Sequence, residues 1–143
     1  MYRGSVIEVI PVSEPTPELL SAITELYRAA GWWGEDPDDP EGLARMITGS
    51  HVFVVAREDD RVVGMGRALS DRVSDAYIQD LTVLEDCRGR GIATAMIEQL
   101  IARLHADGLR WIGVIAEAGS RPLYEPLGFE PMNNATPLLK LDK

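Results

Sequence analysis

The sequence predicts an α/β fold built on one mixed sheet, antiparallel at first and parallel at its centre, with helices flanking it. Three observations predict it. Between His51 and Val83, three apolar and β-branched runs are separated by turns too short for crossovers, which makes an antiparallel meander. From Ile92 to Leu104, the residues Ile92, Met96, Ile97, Leu100, Ile101 and Leu104 recur at helical spacing, and Gly108 stops the run. Leu109 to Ala116 is then apolar again. Strand, helix and strand in that order form a right-handed βαβ crossover, whose two strands are parallel neighbours.

The elements follow in order. Val6 to Pro11 reads as a first strand. Thr16 is suited to cap a helix that opens at Pro17, where the missing proline N–H costs nothing. Leu19, Leu20, Ile23, Leu26, Tyr27 and Ala30 share one helical face, and Gly31 can end the segment. A loop from Gly34 to Pro40 leads to a short helix with Leu43, Met46 and Ile47, closed by Gly49. Strands from His51 to Arg57 and from Arg61 to Leu69 flank the acidic turn Glu58-Asp59-Asp60, a hairpin pattern. Ser70-Asp71-Arg72 turns into a strand from Ala76 to Val83. After the βαβ unit, a short helix spans Ser120 to Leu127, Gly128 ends it, and a final strand is expected to close the chain.

No repeat, low-complexity tract or linker divides the 143 residues, so one domain over 1–143 is expected. A hydrophobic content of 45% and a charged content of 26% are near globular averages. No apolar run approaches the roughly 20 residues that span a bilayer. Met1-Tyr2-Arg3-Gly4 and the short acidic stretch after it do not resemble a signal peptide, and a cytoplasmic protein is expected. The lone Cys87 excludes an internal disulfide and a multi-cysteine metal site. A net charge of -9 argues against nucleic-acid binding, which needs a dominant basic surface. That acidity either favours a cationic acceptor such as an amine or only keeps the chain soluble.

The segment Leu81-Thr82-Val83-Leu84-Glu85-Asp86-Cys87-Arg88-Gly89-Arg90-Gly91-Ile92-Ala93-Thr94 carries the most chemistry. A strand enters a loop with glycines and arginines, and a helix starts at once. Unpaired N–H groups and the positive end of the helix dipole converge on that turn, which suits an anion. Gly89 and Gly91 let backbone approach a ligand, Ala93 adds little bulk, and Arg88 and Arg90 can bond phosphate. The plainer reading is a turn served by its glycines, with solvated arginines. The pattern is neither a P-loop nor a nicotinamide fingerprint, because it lacks Gly-Lys-Ser/Thr and has the wrong glycine spacing.

This turn resembles the Arg/Gln-x-x-Gly-x-Gly/Ala motif of the GNAT superfamily, matched by Arg88, Gly91 and Ala93. Leu123-Tyr124-Glu125-Pro126-Leu127-Gly128-Phe129 is similar to that family's second signature, a Leu-Tyr pair followed by Gly-Phe. The resemblance implies the GNAT fold and acetyl-CoA-dependent N-acetyl transfer, with acetyl-CoA as cosubstrate and no metal. It implies that coenzyme A lies between the two parallel strands. Backbone of Leu81, Thr82 and Val83 would pair with pantetheine, and amides from Arg88 through Thr94, Ile92 included, would hold the pyrophosphate. An amine would then attack the thioester directly.

Tyr124 holds the family's tyrosine position, either as the acid that protonates the leaving thiolate or as packing beside coenzyme A. Asp80 stands next to the expected acetyl position. It either takes the amine's proton through water or attracts the ammonium, or it only supports a strand bulge. Glu117 is the rival base, although many relatives carry Asn near that place. Cys87 stands where relatives usually place an aromatic residue and reads as a small apolar loop residue. His51 and His105 do not look catalytic.

In this family the acceptor is chosen by the N-terminal helices and their loop, which here contain Tyr27, Trp32, Trp33 and the run Glu35 to Asp39. Aromatic faces and carboxylates suit a cationic small-molecule amine; alternatively the tryptophans pack and the acids are solvated. Leu26 to Trp32, Gly64-Met65-Gly66-Arg67-Ala68 and Ser70-Asp71 also resemble a GNAT branch with plastid-type arylalkylamine acetyltransferases. Two other readings stay open: transfer to a protein N-terminus or lysine, and a non-catalytic acyl-CoA sensor. No partner nucleic acid or membrane is implied. A homodimer is the family's habit, and no sequence feature establishes one.

Overall fold

The computed structural model describes residues 6–117 and 119–142, so Met1 to Gly4 lie outside the described residues. Helix α1, Pro17–Ala29, starts as the residue order dictates: the Thr16 hydroxyl accepts from the Leu19 amide at 3.2 Å, and proline takes the first position. Helix α2, Pro40–Gly49, repeats the device, with the Asp39 carboxylate accepting from the Gly42 amide at 2.9 Å.

Strands β1 (Ile7–Pro11), β2 (Val52–Glu58), β3 (Arg61–Ser70), β4 (Asp75–Val83) and β5 (Trp111–Val114) form one five-stranded sheet in sequence order. The first three pairings are antiparallel and β4–β5 is parallel. Helix α3, Ile92–Ala106, connects the parallel pair. Strand β2 is apolar at successive positions because both of its faces are covered. Val52, Val54 and Ala56 pack toward α3, while Phe53 and Val55 pack toward α1 and α2. The sheet therefore has a core on each side, and α3 contributes Met96, Ile97, Leu100 and Leu104 to one of them.

Two expectations fail at the C-terminal end. The helix expected over Ser120 to Leu127 divides into α4, Arg121–Tyr124, and a 3₁₀ turn over Glu125–Leu127. Pro126 lacks the N–H that would continue the ladder. The expected final strand is not formed: residues 129–142 carry no strand. Pro131 and Pro137 remove ladder donors, and Asn134 turns through a positive φ of 56°. Strand β5 is correspondingly shorter than expected, four residues long, at the edge of the sheet.

The far end of α3 is tied to the start of β2. Asp107, its C-cap, meets His51 Nε2 at 2.7 Å and accepts from Arg103 Nε at 2.8 Å. The His51 ring, and then Arg103, hold this carboxyl below its ordinary value. A depressed folded-state pKa stabilises above the unfolded value of about 3.9, and that stability is lost as pH falls through the lower folded value. Asp107→Asn should therefore destabilise the protein at neutral pH and much less in strong acid. Urea midpoints measured down an acid series should converge for the two proteins.

Candidate active site

The site is built where β4 stops pairing with β5. Their parallel register runs from Asp75–Trp111 to Ile78–Val114 and ends there. Beyond it, Gln79 to Val83 remain paired only with β3. One backbone edge of β4 thus faces a cleft of about 790 Å³, whose opposite wall comes from Val114, Ile115, Glu117, Ser120, Leu123 and Tyr124.

At the head of the cleft β4 carries a bulge. Arg67 opposes Gln79 and Met65 opposes Thr82, so Asp80 and Leu81 together face Gly66. Asp80 is left-handed, at φ 57°, a conformation that Asp tolerates better than most residues. Gly66 leaves room for Leu81: a Cβ there would lie 2.8 Å from Leu81 Cδ1. Asp80 Oδ2 accepts from the Tyr27 hydroxyl at 2.7 Å and from Arg67 Nε at 2.8 Å.

At the other end of the exposed edge, the chain passes through a 3₁₀ turn, Glu85–Cys87, into the glycine turn. Gly91 caps α3 at φ 80°, and no side chain bonds the first-turn amides. The N–H groups of that turn have no intrahelical acceptor, and the dipole makes the spot electropositive. Arg88 braces the turn, with Nε donating to the Val83 carbonyl at 3.0 Å. Open space surrounds the positions where Cβ atoms at Gly89 and Gly91 would sit. Those features fit a phosphate-bearing ligand.

Tyr124 is buried at 5% exposure on the opposite wall. Gly128 reverses the chain at φ 96° and brings Phe129 edge-on to the Tyr124 ring at 5.5 Å. This is the physical content of the Leu-Tyr and Gly-Phe pairs. The Tyr124 hydroxyl makes no hydrogen bond among the described residues, and burial raises its pKa. It stays protonated at neutral pH and is available as a donor.

Most of the residues singled out in the sequence meet in this cleft: Asp80 to Val83, Arg88, Gly89, Gly91 to Thr94, Tyr124 and Trp32, with Glu117 beside them. Three side chains do not. The Arg90 guanidinium pairs with the Glu58 carboxylate at the end of β2, away from the cleft wall. Tyr27 is buried at 2% exposure, so its ring is no acceptor platform. Trp33 stacks on Tyr27 at 4.1 Å and lines a separate hollow with Asp36 and Asp38. The acidic loop is also partly neutralised from within, because Arg28 reaches Asp38 and the carbonyls of Gly34 and Asp36. Cys87 is buried, and burial raises its thiol pKa, which suits an inert residue.

Sequence reasoning missed Arg67, the partner of Asp80. Its place in Gly66-Arg67-Ala68 gave no sign that it would face a carboxylate across the bulge. Among the described residues no group of three or more His, Cys, Asp or Glu could hold a metal ion. No helix of the described residues is long and apolar enough to cross a membrane.

Known proteins share this fold. The acetyltransferase (GNAT) domain profile matches residues 27–137. Serotonin N-acetyltransferase 2, chloroplastic, of Oryza sativa subsp. japonica is 36% identical over 116 residues, which is 77% of this chain and 56% of the rice protein. Histone acetyltransferase TAP1 of Glycine max is 37% identical over 73 residues, 51% of this chain and 32% of the soybean protein. The chain thus spans less than two thirds of the length of either relative. An aminoglycoside N-acetyltransferase solved in complex with CoA superposes with a TM-score of 0.76 at 19% identity, covering 98% of each chain. The mixed sheet is therefore the fold of the GNAT acetyltransferases, and with its profile matched over most of its length the chain belongs to that family.

Proposed function

We propose that this protein, as a single domain, transfers the acetyl group of acetyl-CoA to a small primary amine, by direct attack and without a metal. The observation that carries this reading is the cleft itself. It joins an uncapped helix N-terminus, an unpaired strand edge and the hydroxyl of a tyrosine whose ring is buried. The pyrophosphate would lie over the amides of Gly89 to Thr94, and pantetheine would bond the free edge at Leu81 to Val83. The acetyl group then comes to rest between Asp80 and Tyr124.

The step balances with no further reactant. The bound ammonium first gives one proton to water to become the attacking amine. The neutral amine nitrogen forms a bond to the acetyl carbon, the carbonyl becomes an oxyanion, and the C–S bond breaks as it re-forms. After the attack Tyr124 gives its proton to the departing thiolate and takes up, through water, the proton that the new amide nitrogen releases. The tyrosine therefore ends the turnover protonated. Asp80 attracts the cationic form of the acceptor toward the acetyl group. Trp32, 44% exposed at the cleft mouth, offers an aromatic face to it.

The similarity to a protein named serotonin N-acetyltransferase makes serotonin and other aromatic ethylamines the first acceptors to try. A second reading, transfer to a lysine or a protein N-terminus, is favoured by the similarity to a protein named histone acetyltransferase. Thiol release from acetyl-CoA across aromatic amines, polyamines, amino acids and peptides separates the two. Release with an amine class supports the first and release with peptides alone the second. Binding of acetyl-CoA without release to any of them defeats both.

A further inference from the structure

Asp80 is held through one oxygen only. Oδ2 accepts from both Tyr27 and Arg67, whereas Oδ1 accepts no hydrogen bond among the described residues. Both donors come from outside β4: Tyr27 from α1, 53 residues away in sequence, and Arg67 from β3, 13 residues away. They converge on a residue already confined by a left-handed bulge. A carboxylate that merely supported the bulge would bond its own backbone amides, and Asp80 bonds none.

Tyr27 does more than donate. Its carbonyl accepts from the amides of Trp32 and Trp33, at 3.1 and 3.3 Å, and its ring stacks on Trp33. The same residue therefore fixes the loop at the cleft mouth and the carboxylate inside the cleft. Burial, and then the bond to Asp80, raise the Tyr27 pKa far above the ordinary tyrosine value. Its hydroxyl remains a donor at any pH at which the protein works. Arg67, with a side chain only 13% exposed, is held as firmly, and its second arm lies 3.5 Å from Ser50 Oγ.

We propose that Tyr27 and Arg67 are positioning residues for acetyl transfer: they fix Asp80 by Oδ2 so that Oδ1 receives the acceptor's ammonium group. This rests on the small-amine reading above. Two donors on one oxygen orient the carboxylate plane, and they leave one acceptor atom for an incoming N–H. The tie from Tyr27 to Trp32 sets the distance between that atom and the aromatic face at the mouth. An amine with its cation at Asp80 and an aromatic body against Trp32 satisfies both ends at once. Loss of either donor lets the carboxylate rotate and weakens acceptor capture, with the acetyl-CoA half of the cleft untouched.

The test measures Tyr27→Phe, Arg67→Lys and Arg67→Met beside the wild type, with serotonin as the first amine and the full panel behind it. Tyr27→Phe keeps the ring, its stack and its backbone bonds and removes one donor. The expected result is an amine KM raised roughly tenfold, as for loss of a hydrogen bond to a charged group, with the acetyl-CoA KM unchanged within about twofold. Arg67→Lys should recover part of what Arg67→Met loses, since it restores the charge without the fork. The Arg67 Nε–H signal in NMR, identified by its loss in Arg67→Lys, should exchange slowly and shift in Asp80→Asn. Unchanged amine KM values, or equal changes in both substrates' KM values, would overturn the proposal. So would an Nε–H signal indifferent to Asp80→Asn. A wild type that acetylates no amine at all defeats the functional reading instead, and this inference with it.

Discussion

Replacing Tyr124 with phenylalanine should lower kcat by about 10²-fold at neutral pH, the lower end of what a positioned general acid contributes. The ring and its edge contact with Phe129 are retained, so acetyl-CoA affinity should hold within about twofold. The deficit should stay the same from about pH 7 to about pH 9, because a hydroxyl that remains protonated throughout assists the departing thiolate equally at each pH. Over that span the wild type should show no falling limb from Tyr124 itself, because burial moves its titration upward from the ordinary tyrosine value. Steady-state kcat profiles of both proteins decide this. Turnover close to that of the wild type in the Tyr124→Phe variant would mean that Tyr124 packs and does not protonate.

The second large effect is expected at Gly91, where α3 begins at φ 80°. An alanine there meets the left-handed penalty of roughly 1–2 kcal/mol and also places a methyl group in the open space above the first-turn amides. Gly108 supplies the control. It lies at the other end of the same helix with φ 85° and open space around it. Gly91→Ala and Gly108→Ala should therefore cost similar stability in urea, while only the former weakens acetyl-CoA binding, by at least about tenfold. Equal affinities for the two variants in calorimetric titration would remove the glycine turn from the cofactor site.

The parts of the fold legible in the sequence are those set by neighbours in the chain. The Thr16 cap, the Gly91 turn and the apolar stripe from Ile92 to Leu104 each depend on residues a few positions apart, and the elements form where that spacing places them. The βαβ order likewise gives the parallel pairing of β4 and β5. The missing final strand shows the limit. Residues 129–142 contain apolar residues, but Pro131, Pro137 and the left-handed Asn134 deny them a continuous ladder.

The glycine-turn end of the candidate site was legible for the same reason, since a strand end, a turn and a helix start are contiguous. The Asp80 end was not. Which side chain answers Asp80 depends on the bulge opposite Gly66, a register property that no local pattern encodes. Tyr27 reads as an apolar position on α1 and as an aromatic face for the acceptor, yet its hydroxyl reaches Asp80 on β4 while its ring stays in the core. Arg90 looked like a phosphate ligand until folding brought Glu58 beside it. Asp38, in the acidic run, likewise has its charge answered by Arg28.

A crystal structure of this protein with CoA bound should show the pyrophosphate over the amides of Gly89 to Thr94, the pantetheine along the free edge of Leu81 to Val83, and the sulfur within reach of the Tyr124 hydroxyl. A nucleotide bound elsewhere, or a pantetheine that leaves that strand edge empty, would contradict this placement.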